Sequence, residues 1–436
     1  MESSEKKFGV ALSGGGYRAA TYHLGTLRAL NEIGALDQID VLATNSGGSI
    51  TGAYYSIHTE ENNYPKIEQD FLNCLRKNTI TRALLHPRCL LGAIYILGLL
   101  FLIIYSIIYW PAWMTFSFTV VFFISIILFQ FVIFPISKGI QRAYDSIFFN
   151  KKKLNEITAR PQLVMNATNV QTGKLWTFSK HKMDDSTYSY DMKPPVEFKT
   201  QNFPISVAVS ASSCVPFAFN PVKIESDYFL KSEDTKRAKP LLVDGGVYDN
   251  QGLHKLIQFK SDYKCDIILV SDAGAGLKWK SNQKSVITLL IRMLDVLMLR
   301  IKNQQMISGV FENTNTEGAH RQIGYFSLAM SPEETVEFFI KMFKKGQLVE
   351  AVINAQGLQG QEGTDTNILI EKVKNNIGWN QLKPLFPNEE ELAIAQAVGT
   401  NLWPLKQKQT NALIKHAYVM TKIFLPLYCP SLITKR

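Results

Sequence analysis

Two glycine-marked turns near the N-terminus decide the predicted fold: Ser13-Gly14-Gly15-Gly16-Tyr17-Arg18 and Asn45-Ser46-Gly47-Gly48. A third turn, Asp244-Gly245-Gly246, lies far downstream. Each turn follows an apolar stretch with the composition of a buried strand, at residues 8–12, 41–44 and 241–243. Open α/β sheets hold their active sites where strands leave the sheet. We therefore expect the three turns to meet at one site.

Strands and helices alternate at the start of the chain. Residues 17–33 carry Leu24, Leu27 and Leu30 at helical spacing, and residues 49–58 form the next predicted helix. This βαβα order predicts an α/β fold with a parallel sheet covered on its faces. Further strands are predicted at residues 163–167, 175–179 and 267–271, and a helix of small residues at 204–214. Beyond Gly276 the chain is predicted to be mainly helical, at residues 286–301, 335–343 and 411–425.

A long uncharged segment interrupts this pattern between Arg88 and Lys138. It contains two apolar stretches, residues 90–110 and 113–135, each close to the roughly 20 residues that cross a bilayer. The sequence Trp110-Pro111-Ala112-Trp113 separates them, with a proline that ends a helix and two tryptophans suited to the membrane interface. We predict two transmembrane helices joined by a tight turn. A buried helical hairpin in a soluble protein is the alternative.

The flanks of this segment predict its orientation. A helical hairpin returns the chain to the side that it left, and basic residues stand at both outer ends: Arg82, Arg88, Lys138, Arg142, Lys151, Lys152 and Lys153. The positive-inside rule then places the main body in the cytoplasm, and residues 1–7 contain no apolar signal-peptide core. The predicted organisation is a first part of the main domain at 1–87, a transmembrane hairpin at 88–137 and a second part at 138–436.

Composition limits the possible partners. The chain has 436 residues, 46% of them hydrophobic and 19% charged, which gives no indication of extensive disorder. Its net charge of +10 favours an anionic lipid bilayer as partner, and we expect no nucleic acid, because no nucleic-acid motif accompanies the charge. The five cysteines show no metal-ligand spacing and fit reduced thiols, so we expect neither a metal nor a cofactor. The oligomeric state stays open.

Ser46 occupies a predicted turn between a strand and a helix. At such an elbow a nucleophilic serine takes a strained backbone conformation that exposes its hydroxyl, and small neighbours such as Gly47 and Gly48 let the strand and helix approach. Thr44 differs from the glycine usual two residues before the nucleophile. A helix N-cap is the alternative role for Ser46.

The first glycine loop precedes a helix, so the amides of Gly14, Gly15 and Gly16 can converge near a positive helix end and stabilise an oxyanion. Arg18 can add a fixed positive charge for an acyl carbonyl or a lipid phosphate. The loop also matches the pattern GxGxxA of dinucleotide-binding folds. That alternative requires an acidic residue at the end of the second strand, where this chain has Asn45 and Ser46.

Asp244 ends a strand before two small residues, Gly245 and Gly246, which leave its carboxylate unobstructed. A carboxylate within hydrogen-bond reach of Ser46 could take its proton directly, forming a dyad. A turn aspartate is the simpler alternative. His254 or His416 could instead complete a triad, but His254 follows Asp244 too closely in sequence, so we prefer the dyad. His23 is interpreted as a packed or capping residue, and Asp249 and Asn250 as fixing the turn.

These motifs together resemble the patatin-like phospholipase family. The resemblance includes Asn166-Ala167-Thr168-Asn169 with Thr172-Gly173, Ala211-Ser212-Ser213-Cys214-Val215-Pro216, and Val243-Asp244-Gly245-Gly246-Val247-Tyr248-Asp249-Asn250. It covers most of the chain apart from the hydrophobic hairpin. Ala19 and Thr44 depart from the family pattern, in which glycine is common at both positions.

The resemblance implies a three-layer α/β/α sandwich with a mostly parallel central sheet, interrupted here by the hairpin. It implies Ser46 as nucleophile, Asp244 as base, and an oxyanion site at Gly14, Gly15 and Gly16 beside Arg18. The loop also resembles that of cytosolic phospholipases A, in which the arginine is associated with the substrate phosphate. We expect a membrane-anchored acylhydrolase acting on phospholipid or lysophospholipid. A catalytically weak membrane protein that binds or scaffolds lipid is the alternative.

Overall fold

The computed structural model describes residues 6–61, 63–276, 285–307 and 321–433. Its strands form one sheet. They are β1 (Phe8–Leu12), β2 (Val41–Asn45), β3 (Gln162–Asn169), β4 (Lys174–Phe178), β5 (Met183–Asp184), β6 (Val222–Lys223), β7 (Leu241–Asp244), β8 (Ile267–Asp272) and β9 (Gln322–Ser327).

The sheet is mixed, which corrects the prediction of a mostly parallel one. Its main path runs β5-β4-β3-β2-β1-β8-β9, with β7 paired to β3 and β6 paired to β7. Strands β3, β2, β1, β8 and β9 pair in parallel with one another, whereas every pairing that involves β4, β5, β6 or β7 is antiparallel. The sequence predicted the parallel centre of the sheet from the βαβα order. The short antiparallel strands are not part of such βαβ units, so this pattern did not predict their direction.

Strand β3 aligns two strands end to end. Residues 162–166 of β3 pair in parallel with β2, and residues 167–169 pair antiparallel with β7. Strand β4 occupies the opposite edge of β3 over residues 165–169, so β7 lies on the same edge as β2, beyond its end. Because β2 and β7 run in opposite directions, their carboxyl ends meet.

Helices and short connecting segments cover the sheet. The helices are α1 (Gly16–Ile33), α2 (Gly47–His58), α3 (Tyr64–Leu75), α4 (Thr79–Leu84), α5 (Pro87–Tyr109), α6 (Ala112–Leu128), α7 (Gln130–Ile133), α8 (Ile136–Tyr144), α9 (Ile205–Ser213), α10 (Gly246–Asp249), α11 (His254–Ile257), α12 (Val286–Met306), α13 (Thr335–Lys344), α14 (Glu350–Ala355), α15 (Thr366–Asn376), α16 (Trp379–Leu382), α17 (Glu389–Ala397) and α18 (Gln407–Tyr428).

Side chains of each central strand alternate between two buried clusters. In β1, Val10 and Leu12 belong to the larger cluster, with α1 and α18, and Ala11 belongs to the smaller one, with Leu256 of α11. This alternation is the period of two expected for a strand, and burial on both faces explains the continuous apolar runs. Helices α1 and α18 can pack closely because Gly25 has no side chain. A Cβ at this position would clash with the backbone carbonyl of Ile414.

The uncharged segment forms two helices, α5 and α6, that pack antiparallel. Tyr95 Oη and Ser125 Oγ lie 2.9 Å apart, and Ser106 Oγ donates to Thr115 Oγ1 at 3.0 Å. Within the described residues only α5 is, by itself, long and apolar enough to cross a membrane. Of its most apolar 18-residue stretch, 17% is buried. A buried core hairpin is thus not what the structure contains.

The second predicted span differs from the expectation. Helix α6 has 17 residues and ends at Leu128, and the chain bends by 79° before the following helical segment. It qualifies as a span only when both parts of this bent pair are counted together. Among the described residues the structure therefore contains one helix that could cross a membrane by itself, and the second of the two predicted spans is not confirmed.

The hairpin leaves and re-enters the sheet domain at one place. Helix α4 precedes it and α8 follows it, and a Cβ at Gly139 of α8 would clash with the carbonyl oxygen of Ala83 in α4. A short link can therefore join the two helices without moving them.

We predict that the domain folds after residues 87–135 are replaced by about six Gly and Ser residues, a length that easily spans adjoining helix ends. Circular dichroism and a cooperative urea transition check this outcome. Aggregation or loss of the cooperative transition would contradict an independent sheet domain.

Candidate active site

The meeting of β2 and β7 brings Ser46 to Asp244. Asn45 is opposite Asn166 of β3, and Asp244 is opposite the next residue, Ala167. Ser46 directly follows Asn45, so it enters the gap between the two strand ends. The side chains of Ser46 and Asp244 are both buried, at 5% and 4% exposure. Serine and carboxylate therefore share one small cleft.

Ser46 has a strained backbone. Its φ of 48° and ψ of −117° lie in a region that residues with a side chain rarely adopt. Its backbone N–H donates to Ser212 Oγ at 3.0 Å, and the structure shows no side-chain cap bond from Ser46 to the first turn of α2. The alternative of a helix N-cap is therefore not what the contacts indicate.

Glycines permit the close approach of α2 to the first loop. A Cβ at Gly47 would clash with the Gly16 backbone, and one at Gly48 would clash with the Leu12 carbonyl. The Gly48 N–H donates to the Ser13 carbonyl oxygen at 3.1 Å, which joins the two turns.

Thr44 fits this elbow without disturbing it. Its Oγ1 lies 2.9 Å from Ser49 Oγ, and its methyl group lies 2.6 Å from the position of a Cβ at Gly52. Gly52 thus supplies the space that a glycine at residue 44 would have supplied. The Ser49 hydroxyl in turn lies 2.8 Å from Ser212 Oγ, so Thr44 belongs to the hydrogen-bond chain that holds the Ser46 backbone.

Backbone contacts fix Asp244. Its N–H donates to the Cys214 carbonyl at 3.0 Å, and its carbonyl accepts from Thr168 Oγ1 at 2.9 Å. Carboxylate oxygen Oδ1 accepts from the Gly246 N–H at 2.7 Å. The neighbouring Gly245 is packed against the Asn166 carbonyl. The Asp244 carboxylate is therefore held in place by a hydrogen bond to one of its two oxygens, Oδ1.

The second carboxylate oxygen of Asp244, Oδ2, is buried and has no hydrogen bond of normal geometry among the described residues. Burial raises the pKa of Asp244 to about 6, and hydrogen bonds from Gly246 and from the Ser46 side chain oppose the rise. The Ser46 hydroxyl is thus near enough to influence the carboxylate, but in a long or poorly aligned contact, as is common in unliganded active sites. A carboxylate with this pKa is ionised at neutral pH and is a stronger base than an ordinary aspartate.

The first glycine loop differs in one respect from the expected oxyanion site. The Gly14 N–H donates to the Asn250 carbonyl oxygen at 3.0 Å, so it is not free to bind an oxyanion. The N–H groups of Gly15 and Gly16 have no acceptor among the described residues. Gly15 has a φ of 142° and Gly16 a φ of 59°, conformations that favour glycine.

The C-terminal region supports this loop, which the sequence did not predict. The Tyr17 N–H donates to the Asn401 carbonyl at 2.8 Å, and a Cβ at Gly16 would clash with the same carbonyl. Arg18 Nη1 donates to the Val398 carbonyl at 3.1 Å, and its Nη2 lies 3.1 Å from the Cβ position of Gly15. Burial lowers the pKa of Arg18, and the charge of Asp272 opposes this.

Histidines near the site have other partners. His416 bonds to the Tyr22 hydroxyl at 3.0 Å and to the Met330 carbonyl at 2.9 Å. The ring of His254 packs against Tyr248, with centroids 5.4 Å apart. Among the described residues no histidine contributes to the pKa of Asp244. These contacts favour a dyad over a triad.

His23 anchors the glycine loop rather than packing passively. Its Nε2 lies 2.9 Å from the Ser13 carbonyl and its Nδ1 lies 3.0 Å from Ser271 Oγ. A carbonyl only accepts, so Nε2 carries the hydrogen and Nδ1 accepts from the Ser271 hydroxyl. Burial lowers the pKa of His23 to about 4, which keeps the ring neutral in this arrangement.

The family model for patatin-like phospholipases matches residues 10–257, more than half of the chain. The chain belongs to the patatin-like phospholipase family. The matched region contains the glycine loop, the elbow, the hairpin and the turn at Asp244.

The solved structures that this patatin-like chain matches have low sequence identity to it. Human GIVD cytosolic phospholipase A2 is 16% identical, with a TM-score of 0.39 over 61% of this chain and 43% of that one. Its complex with methyl gamma-linolenyl fluorophosphonate inhibitor and terbium chloride has a TM-score of 0.36, again at 16% identity, over 61% and 40% of the two chains. VipD from Legionella pneumophila is 12% identical, with a TM-score of 0.33 over 96% of this chain and 91% of that one.

The patatin-like chain thus spans less than half the length of the human phospholipase structures that it matches. No curated protein matches it significantly.

The strained elbow generates a prediction about stability. Ser46→Gly and Ser46→Ala both remove the hydroxyl, but only glycine adopts a φ of 48° without strain. We expect the glycine variant to be more stable by about 1 kcal/mol, measured by urea unfolding. Equal stability, or a more stable alanine variant, would show that the serine conformation is not strained.

Proposed function

We propose that this chain is a membrane-associated serine acylhydrolase of phospholipase A or lysophospholipase type, with a Ser46–Asp244 dyad. The observation that carries the proposal is the placement of Ser46, on a strained elbow, against a buried carboxylate whose pKa is raised to about 6. Strain and a perturbed pKa in the same cleft are typical of functional sites.

In the proposed first step, Ser46 Oγ attacks the carbonyl carbon of a fatty acyl ester while Asp244 takes the serine proton. The tetrahedral intermediate collapses, the bond to the alcohol oxygen breaks, and Asp244 returns the proton to that oxygen. Water then attacks the acyl-serine with Asp244 again as base, releasing the fatty acid and restoring the Ser46 hydroxyl. No cofactor takes part in this scheme.

The proposed oxyanion donors are the amides of Gly15 and Gly16 at the start of α1. They are free of other acceptors among the described residues, and the positive end of a helix favours negative charge there. Arg18 adjoins this loop and retains a buried Nε without a partner among the described residues. Its proposed role is to add positive charge beside the acyl or phosphate group.

Membrane association is the second part of the proposal. The side chains of α5 are apolar and largely exposed, for example Leu91 at 65%, which suits a lipid environment. The two hydroxyl bonds between α5 and α6 are of the kind that holds membrane helices together. Helix α12 carries further exposed apolar side chains, among them Val286 and Leu297.

The proposed topology is a hairpin anchored in an anionic membrane with the patatin-like domain in the cytoplasm, as the flanking basic residues suggest. Residues 1–87 and 138–436 would then form the one domain that the hairpin interrupts. Carbonate extraction tests the anchor: the full chain should stay with the membrane, and a chain lacking residues 87–135 should be extracted. Release of the full chain by carbonate would contradict a membrane-spanning hairpin.

We predict that a fluorophosphonate probe labels the protein at Ser46, because phosphonylation needs an activated serine. Mass spectrometry of the labelled peptide identifies the site, and Ser46→Ala is the control that must lose the label. A folded wild-type protein that resists labelling would support the lipid-scaffold alternative. Lipid fragments released from membranes by wild-type but not Ser46→Ala protein would then identify the substrate.

The raised pKa of Asp244 predicts the pH dependence. Only the ionised carboxylate can accept the serine proton, so kcat/KM should fall tenfold per pH unit below an apparent pKa of about 6. Circular dichroism at the same pH values is the control for unfolding, since burial also raises the pKa of Asp249 to about 6. An acidic limb near pH 4, at the ordinary aspartate pKa, would contradict a buried base.

A further inference from the structure

The side chain of Asn250 lies within the cleft rather than in the turn that the sequence assigned to it. It follows α10 and points back toward Gly246, as side chains on a helix do. A Cβ at Gly246 would lie 2.7 Å from Asn250 Oδ1 and 2.8 Å from Asp244 Oδ1. The Asn250 carboxamide is therefore next to the carboxylate of the dyad.

The same carboxamide borders the nucleophile. A Cβ at Gly14 would clash with Asn250 Oδ1 and would lie 3.1 Å from Ser46 Cβ. One point beside the first glycine loop is thus close to both Asn250 and Ser46. Glycine at residue 14 therefore allows both side chains to lie this close to the first glycine loop.

Asp249, not Asn250, forms the turn with its side chain. The carboxylate of Asp249 accepts from the N–H groups of Gln251, Gly252 and His254 at 3.1, 3.2 and 2.8 Å. The Asn250 carboxamide, in contrast, has no hydrogen-bond partner among the described residues. Its two N–H donors are therefore available to a ligand in the cleft.

We propose that Asn250 is a catalytic residue that donates a hydrogen bond from Nδ2 to the carbonyl oxygen of the scissile ester, an inference that rests on the proposed acylhydrolase function. The backbone carbonyl of Asn250 occupies the Gly14 N–H, which leaves the predicted oxyanion site one donor short. The side chain of the same residue replaces that donor. The oxygen and nitrogen of a carboxamide are nearly interchangeable in position, so a half-turn presents Nδ2 where Oδ1 now stands.

A donor of this kind acts mainly in the transition state, when the carbonyl oxygen becomes negative. Asn250→Ala should therefore lower kcat and the rate of Ser46 phosphonylation by about 10²- to 10³-fold, while KM changes by less than about threefold. The acidic limb of the pH profile should not move, because Asn250 acts on the substrate and not on Asp244.

The matched control is Gln251→Ala, which removes a carboxamide from the neighbouring residue. The Gln251 side chain contacts Asp272, with Nε2 3.5 Å from Oδ2, and has no contact with Ser46 or Asp244 among the described hydrogen bonds. We expect this variant to keep kcat within about threefold of wild type. If Asn250→Ala fails to fold, Asn250→Leu, which keeps most of the bulk without a donor, carries the same test.

The experiment measures ester hydrolysis and fluorophosphonate labelling of full-length wild-type, Asn250→Ala and Gln251→Ala protein across the pH range. Undiminished kcat in Asn250→Ala, or an equal loss in Gln251→Ala, overturns the inference. An upward shift of the acidic limb in Asn250→Ala also overturns it, because Asn250 would then act by stabilising the Asp244 carboxylate. A wild-type protein without labelling or turnover overturns the proposed function itself, and this inference with it.

Discussion

The hydrogen-bond register of β3 is the constraint on which the site depends. One edge of β3 pairs first with β2 and then with β7, and these two strands approach each other from opposite directions. Buried backbone groups must be paired, so the register leaves little freedom in where the two strand ends meet. A slip of one residue in β7 would turn Asp244 to the opposite face of the sheet. The distance between Ser46 and the carboxylate is thus set by backbone pairing rather than by side-chain attraction.

The surrounding structure holds the site in an unfavourable arrangement. Ser46 has a positive φ, and the carboxylate of Asp244 is buried with Oδ2 unpaired among the described residues. Both features oppose folding, by roughly 1 to 3 kcal/mol each. Contacts outside the reacting groups offset this: Ser212 holds the elbow, and Cys214 and Thr168 hold the Asp244 backbone. These anchors engage the backbone and leave the reacting hydroxyl and carboxylate oxygen free.

Local sequence patterns predicted the central strands and the elbow, because apolar runs followed by glycine have few alternative conformations. Tertiary contacts account for what the sequence did not predict. The direction of β7, the occupied Gly14 amide and the contact of Asn401 with the glycine loop each depend on residues far apart in the chain. Strand β9 was missed because Gln322, Gly324 and Ser327 break its apolar run, and burial on both faces leaves no alternating pattern. Thr44 departs from the elbow pattern, and only the structure shows that Gly52 makes room for it.

The identity of the base is the central claim, and a comparison of two variants tests it most directly. The initial rate of acyl-serine formation from a simple ester is measured for Asp244→Asn and His254→Ala. If Asp244 is the base, Asp244→Asn loses about 10²- to 10⁴-fold in this rate, whereas His254→Ala stays close to wild type. Retained acylation in Asp244→Asn, together with its loss in His254→Ala, would contradict the dyad.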